Sequence, residues 1–297
     1  MSGFALRQFE RAKRLGFLVT RRPHYVLGRF ATVRDAYSGL NGLKDVVVRT
    51  TPLRLGDLYK PATSTLEVAA SGHVLASRSP AEQVREMHRE AYSLGPKLER
   101  SAVAALQDQA RTLPLHFNDK VVGTYATLSD SRHSLAIATV RDSSRLAMVR
   151  AVAGDDYLYQ AASLFLGYRP RRVSSWLFWS LANQLSADQR RAAYQTIDYH
   201  YDVDGFNFMY ANFYLLDTTA QNGAHALIAG SSRRKRLGHL LGIARLSDAE
   251  AWQTYGRDAE RTIEGPAGSG FLEDASCYHK ALPPESGDRL MLQLRYQ

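Results

Sequence analysis

The chain has one cysteine, Cys277, in 297 residues. A single thiol excludes an intramolecular disulfide and any multi-thiolate zinc or iron-sulfur site within one chain. Metal chemistry, if the chain performs any, must rest on histidine and carboxylate. Long apolar runs are missing from the start as well. Arg7, Arg11, Lys13, Arg14, Arg21, Arg22 and Arg29 interrupt the first thirty residues before any run reaches signal-peptide or membrane-spanning length. The expectation is a soluble, cytoplasmic protein with no membrane span. Low-complexity tracts, zinc-finger spacings, RNA-binding aromatic signatures and repeats of solenoid or propeller length are absent too. Nothing in the chain fixes an oligomeric state.

What is present is an apolar fraction of 45%, enough to bury a sizeable core, and a net charge of +9. The charge is uneven. Residues 1–150 hold 23 Lys+Arg against 13 Asp+Glu, and residues 151–297 hold 15 against 16. Such an excess attracts polyanions in some proteins, but with no nucleic-acid signature beside it a solvated basic surface is the simpler reading.

The texture changes once along the chain. Up to about residue 112 helical spacing dominates, and Ser79-Pro80-Ala81-Glu82-Gln83 reads as a helix start with serine as cap, proline at the first position and Val84, Met87 and Ala91 on the apolar side. From about residue 113 the pattern favours strands, at Val121 to Tyr125, Val173 to Phe178, Phe206 to Leu216 and Leu290 to Tyr296. Ser186 caps one interrupting helix through Ala187, Asp188, Gln189 and Arg190. The expected organisation is a single domain over 1–297, with a basic, mostly helical part at 1–112 and a β core at 113–297.

Nine histidines and about one acidic residue in ten predict roughly one His-x-Asp/Glu match by chance. There are two, and local geometry separates them. In a helix, positions i and i+2 point about 200° apart, so His88 and Glu90 cannot close on one ion and read as surface. In a strand they share a face, and Tyr199 to Tyr214 reads as a strand, so His200 and Asp202 point together. A third ligand for a two-His-one-carboxylate site, the Fe(II) facial triad, is best supplied by His279, just before the turn-rich Leu282-Pro283-Pro284-Glu285-Ser286-Gly287. Arg289 opens the next strand, and a planar guanidinium beside such a metal suits the far carboxylate of 2-oxoglutarate.

Residues 157–296 resemble the phytanoyl-CoA dioxygenase family, on Tyr199-His200-Tyr201-Asp202, Phe213-Tyr214-Leu215-Leu216-Asp217, Asn222-Gly223-Ala224-His225, Ala229-Gly230-Ser231-Ser232, His279-Lys280 and Gly287-Asp288-Arg289-Leu290. Two positions depart from the family pattern, Ala229 for proline and Ser232 for histidine. The resemblance implies a mainly β protein with flanking helices, a cupin-like double-stranded β-helix or jelly roll, with iron between its sheets. It also implies an Fe(II)/2-oxoglutarate-dependent dioxygenase that uses O2 to hydroxylate a C–H bond of a small-molecule substrate, releasing succinate and CO2. His200, Asp202 and His279 would hold the metal and Arg289 the co-substrate. The alternatives are a non-catalytic jelly-roll binding protein, and an oxygenase whose macromolecular substrate is recruited by the basic half.

Other candidates divide by strand parity. Asn212 shares parity with Asp202 if the strand stays regular, and so could face the co-substrate. Cys277 shares parity with His279 but reads as buried packing, and His225, after an Asn-Gly turn, as a loop or sheet-end residue. Ser231-Ser232-Arg233-Arg234-Lys235-Arg236 reads as a solvated loop with some capacity to grip an anion, and Trp176, Phe178 and Trp179 as pocket wall or core.

Overall fold

The computed structural model describes residues 23–50, 72–130, 132–242 and 244–297. Arg7, Arg11, Lys13, Arg14, Arg21 and Arg22 lie outside these residues. The early strands are β1 (Val74–Leu75), β2 (Tyr92–Leu98), β3 (Leu115–Phe117), β4 (Lys120–Gly123), β5 (Ile137–Val140) and β6 (Val173–Ser180). The later ones are β7 (Tyr199–His200), β8 (Met209–Tyr214), β9 (His225–Ile228), β10 (Arg245–Leu246), β11 (Glu260–Ile263), β12 (Ser269–Glu273), β13 (His279–Ala281) and β14 (Arg289–Tyr296). They form a nine-stranded sheet in the order β1-β2-β12-β8-β14-β6-β5-β3-β4 and a five-stranded sheet in the order β10-β7-β13-β9-β11. All the pairings between these strands are antiparallel, and flanking helices complete a mainly β jelly roll, as expected.

The central strands of the large sheet are buried on both faces, and strand alternation sorts their residues between them. Leu177 and Trp179 of β6, Met209, Ala211 and Phe213 of β8, and Leu290, Leu292 and Leu294 of β14 face a core shared with the helices Pro80–Glu90, Arg100–Thr112, Ala147–Ala153 and Asp156–Leu166. Full burial of each such leucine is worth about 1.5–3 kcal/mol. Trp179 gives its indole N–H to Ala110 O at 3.0 Å and stacks on Tyr125, so it is core, whereas Trp176 and Phe178 face the other way. On that inner face Tyr214, Phe271 and Met291 meet Leu227 and Ile263 of the small sheet.

Both predicted helix starts form as capping boxes. Ser79 Oγ accepts from Glu82 N while the Glu82 carboxylate accepts from Ser79 N, and Ser186 and Gln189 repeat the exchange at the helix Ala187–Ala192. The first 112 residues also contribute strands, which helical spacing did not suggest. The sequence of β2, Tyr92-Ser93-Leu94-Gly95-Pro96-Lys97-Leu98, carries two strand breakers, yet it pairs with β12 through a bulge between Ser269 and Phe271. Gly95 (φ +137°) and Pro96 occupy that bulge, where no regular ladder is needed.

The run Tyr199 to Tyr214 is not one strand. It breaks after His200 because β7 belongs to the small sheet and β8 to the large one, so residues 201–208 cross between sheets. The segment Val121 to Tyr125 likewise leaves its strand after Gly123 and turns into a short 3-10 helix at Tyr125. The helix Ala31–Thr50 packs on the rest through Tyr37, stacked on Phe206 at 4.9 Å, and through Arg34, 3.8 Å from Asp274. No helix among the described residues is long and apolar enough to cross a membrane.

Candidate metal centre and its cavity

His200 ends β7 and His279 begins β13, and the two are direct cross-strand partners with ring centroids 4.3 Å apart. Each ring is fixed by the same local device. His200 Nδ1 lies 3.1 Å from Asp198 O and His279 Nδ1 lies 3.1 Å from Cys277 O. A carbonyl only accepts, so each Nδ1 carries the proton and each Nε2 keeps its lone pair. Asp202 stands just past the strand, held by its N–H to Ala275 O at 2.9 Å. Its carboxylate oxygens lie 3.7 Å from His200 Nε2 and 3.9 Å from His279 Nε2. These separations are too long for hydrogen bonds and leave three electron-pair donors around one space. Burial, reinforced by the neighbouring His279, pushes His200 below the ordinary histidine range, so its imidazole is neutral at pH 7.

The donor set fits Fe(II): two imidazole nitrogens and one carboxylate on one side leave positions open for other ligands. Tyr210 of β8 reinforces it by donating its hydroxyl to Asp202 Oδ2 at 2.9 Å, and burial together with the Asp202 charge raises the Tyr210 pKa and keeps that proton in place. A second constellation, Glu273, Cys277 and His279, shares one ligand with the first. Its members have other commitments. Burial alone would raise Glu273, but His225 and His279, with hydrogen bonds from His225 and Asn212, hold it at about 2. Burial and the Glu273 and Asp274 charges push the Cys277 thiol well up, so it stays protonated and packs as a small apolar group.

Arg289 opens β14 with 3% of its surface exposed and lines the same cavity of about 410 Å³ as the three ligands. Its register partner Ser180 accepts from Nη2 at 2.9 Å, and Gly223 O accepts from Nη1 at 2.6 Å. Gly223 (φ +96°) follows Asn222 in the turn that brings this carbonyl round, and a β-carbon there would lie 3.2 Å from Leu282 O. Arg289 Nε is buried with no partner, and no carboxylate pairs with the guanidinium among the described residues. The adjacent Asp288 is engaged elsewhere, accepting from Tyr125 Oη at 2.7 Å and from Ala182 N at 2.8 Å. A buried cation left unneutralised by the protein is a site for an anion.

Asn212 lies away from the ligands. Its amide donates to Glu273 Oε2 at 3.0 Å and accepts from Gln293 Nε2 at 3.0 Å, and of this chain it is Gln293 that lines the cavity. The parity count for Asn212 ran through a strand that the crossing at residues 201–208 interrupts; within β8 Asn212 shares the face of Tyr210 and pairs with Gln293, which lines the cavity. His225 gives its Nε2 proton to Glu273 at 2.9 Å and stacks on His279, which makes it a support of the ligand. His88 and Glu90 stay apart from the metal residues, His88 stacking on Phe165 and Glu90 pairing with Arg89.

The run from Ser231 to Arg236 is more than a solvated loop. Ser231 and Ser232 are buried, Ser231 Oγ accepts from Tyr278 N at 2.8 Å, Arg233 forks onto Asp35, and Lys235 reaches Ser276 O while covering the Tyr201 ring. The loop that carries the Ala229 and Ser232 departures is held by the Ser231 hydroxyl and by the Ser232 carbonyl, which accepts from Lys235 Nζ at 3.3 Å. Tyr210, Ser180, Gly223 and Glu273 were not singled out by sequence. The register of β6 on β14 is the signal that would have found Ser180, and the Asn-Gly turn the one for Gly223.

No family model and no curated protein matches the sequence. Among solved structures, the chain is similar to the epimerase SnoN in complex with Fe3+, alpha ketoglutarate and nogalamycin RO, with 16% identity, 73% of this chain and 83% of that one covered, and a TM-score of 0.52. HygX from Streptomyces hygroscopicus, with nickel, 2-oxoglutarate and hygromycin B bound, aligns at 12% identity over 72% of this chain and 86% of its own, TM-score 0.49. EctD from S. alaskensis, with 2-oxoglutarate and 5-hydroxyectoine, aligns at 17% over 75% and 78%, TM-score 0.48. At such identities the likeness to SnoN establishes that this chain has a jelly-roll fold of the kind found in an iron- and alpha-ketoglutarate-binding enzyme.

Proposed function

We propose that the chain is one catalytic unit, a non-haem Fe(II)/2-oxoglutarate-dependent oxygenase of the phytanoyl-CoA dioxygenase type acting on a small molecule. The observation that carries this reading is the meeting, in one cavity, of the His200, Asp202 and His279 donors with a buried guanidinium that no carboxylate among the described residues neutralises. SnoN, whose fold this chain shares, is seen with Fe3+ and alpha ketoglutarate. Bound at the triad, Fe(II) supplies the one-electron chemistry that couples O2 and oxidative decarboxylation of 2-oxoglutarate, to succinate and CO2, to hydroxylation of a substrate C–H bond.

The chain's own residues have separable tasks. His200 and His279 offer Nε2 lone pairs, and Asp202 offers one carboxylate oxygen while Tyr210 occupies the other. Arg289 grips the distal carboxylate of 2-oxoglutarate and so fixes which end of the co-substrate faces the metal. Trp176 and Phe178 wall the cavity and keep water from the reacting centre. Anaerobic addition of Fe(II) and 2-oxoglutarate together should produce a visible metal-to-ligand absorption band that neither gives alone. If Fe(II) binds and 2-oxoglutarate produces no band, the co-substrate assignment is wrong.

A further inference from the structure

Gln293 lies on the inner face of β14, half-buried, and lines the cavity that holds the metal ligands. Its register partners are Asn212 of β8 and Trp176 of β6. A relay of side-chain hydrogen bonds fixes which way its amide points. The Glu273 carboxylate accepts from Asn212 Nδ2 at 3.0 Å, so Asn212 Oδ1 faces the other way and accepts from Gln293 Nε2 at 3.0 Å. Gln293 Oε1 is thereby turned away from Asn212. It has no hydrogen-bond partner among the described residues and is open to the cavity. Gln195, on the same wall, is the contrast: Arg190 Nη1 donates to its oxygen at 2.8 Å and its nitrogen is sealed from the cavity. An amide that already donates into a chain running to a carboxylate is a stronger acceptor than a free one, because each hydrogen bond polarises the next.

The co-substrate has no use for this oxygen. The carboxylates and keto group of 2-oxoglutarate only accept, and Gln293 stands four residues beyond Arg289, about 13 Å along the strand. Two nearby hydroxyls are committed, Thr139 Oγ1 to His116 O at 3.2 Å and Tyr210 Oη to Asp202 Oδ2 at 2.9 Å. The carboxylate of the lining, Asp202, is one of the three proposed metal ligands, so the wall holds no spare anion to neutralise an ammonium group. An amine is protonated at neutral pH, which leaves a hydroxyl as the simplest neutral donor. Ile137, Trp176, Phe178 and Met291 make the surrounding wall apolar and aromatic. We propose that Gln293 is a substrate-binding residue whose Oε1 accepts a hydrogen bond from a hydroxyl group of an uncharged substrate, the apolar body of which packs on Trp176 and Phe178. This names the substrate class of the oxygenase proposed above and rests on that reading of the cavity.

The probes are 1-indanol, a flat apolar body with one hydroxyl, and indane, the same body without it. Each is titrated by ligand-observed NMR into full-length wild type and Gln293→Leu, with and without Zn(II) plus 2-oxoglutarate filling the metal site. The ratio of alcohol to hydrocarbon affinity should fall by about tenfold in Gln293→Leu, the usual effect of one hydrogen bond, while 2-oxoglutarate binds as in wild type. Should that variant fail to fold, the wild-type Gln293 side-chain amide resonance decides, because it should shift with 1-indanol and stay put with indane. An unchanged ratio, a Gln293 amide that ignores 1-indanol, or no binding of 1-indanol by wild type would each overturn the proposal. A Gln293-dependent alcohol preference in a protein that gives no Fe(II)/2-oxoglutarate band would sink the oxygenase reading and leave the hydroxyl subsite standing.

Discussion

The two sheets present opposite chemistry to the space between them. The small sheet and its flanks offer electron pairs, from His200, Asp202 and His279, while the large sheet offers N–H and O–H donors, from Arg289 and Tyr210. The small sheet achieves this with backbone: a carbonyl two residues before each histidine takes the Nδ1 proton and turns Nε2 inward. The large sheet does it with register, since Arg289, Met291 and Gln293 face inward with Ser180, Phe178 and Trp176 opposite them. An ion can be held on one side and an anionic co-substrate on the other, which neither wall achieves alone.

Removing the small sheet's contribution should have the largest effect. On the proposed assignment, His279→Ala or Asp202→Ala deletes one of three protein ligands, so Fe(II) affinity should fall by more than about a hundredfold and substrate-dependent succinate release should cease. Full activity in His279→Ala would remove it from the ligand set. On the other wall, Arg289→Ala should weaken 2-oxoglutarate by roughly tenfold to a hundredfold, from a charged bidentate contact of about 1.5–3 kcal/mol, with Fe(II) affinity unchanged. Arg289→Lys keeps charge without the planar fork and should fall between. An Arg289→Ala protein that titrates 2-oxoglutarate like wild type would assign the anchor to another basic residue.

Tyr210→Phe blurs the division, because this large-sheet hydroxyl steadies a small-sheet ligand. Its loss should weaken Fe(II) by about tenfold and leave the 2-oxoglutarate affinity of the metal-loaded protein within about twofold. Loss of co-substrate binding instead would place Tyr210 against 2-oxoglutarate.

A further effect, on stability and not on the site, lies outside the cavity at Lys235. Burial first, and Arg34 second, lower its amine to about 7. Between that value and the unfolded lysine pKa of about 10.4 the unfolded chain holds a proton that the folded chain lacks, so stability rises with pH across this window. Below pH 7 the folded protein bears the full cost of the buried charge. In urea unfolding at pH 7, 8.5 and 10, wild type should therefore gain on Lys235→Met as pH rises. Parallel stability curves would show that the amine titrates normally.

His200, Asp202, His279 and Arg289 were legible because each sits in a short local pattern: a His-x-Asp beside a strand, a histidine before a turn, an arginine at a strand start. Their convergence survived the error in the strand that carried them, since Asp202 needs only its own N–H on Ala275 O to stay on the inner side. Asn212, ten residues further, shares the inner face with Tyr210 but is engaged by Glu273 and Gln293, partners that only the strand pairing reveals. Tyr210 was hidden among the aromatic residues of its strand, and β2 behind Gly95 and Pro96.

Period and capping depend on neighbours three or four residues away, so the sequence by itself determined the helix starts at Ser79 and Ser186, the strands β6 and β14 and the ligand types. Partners far along the chain were decided by tertiary structure alone. The bulge against β12 admits Gly95 and Pro96 to a strand, the pairing of β8 with β14 sets Asn212 beside Gln293, and the β6 register gives Arg289 its serine. The Arg190 clamp likewise draws on Asn183, Leu185, Gln195 and Pro284, and only their assembly leaves the Gln195 amide nitrogen without an acceptor among the described residues. A hydrogen bond missing from the folded chain is a property of all the groups around it, which no local pattern encodes.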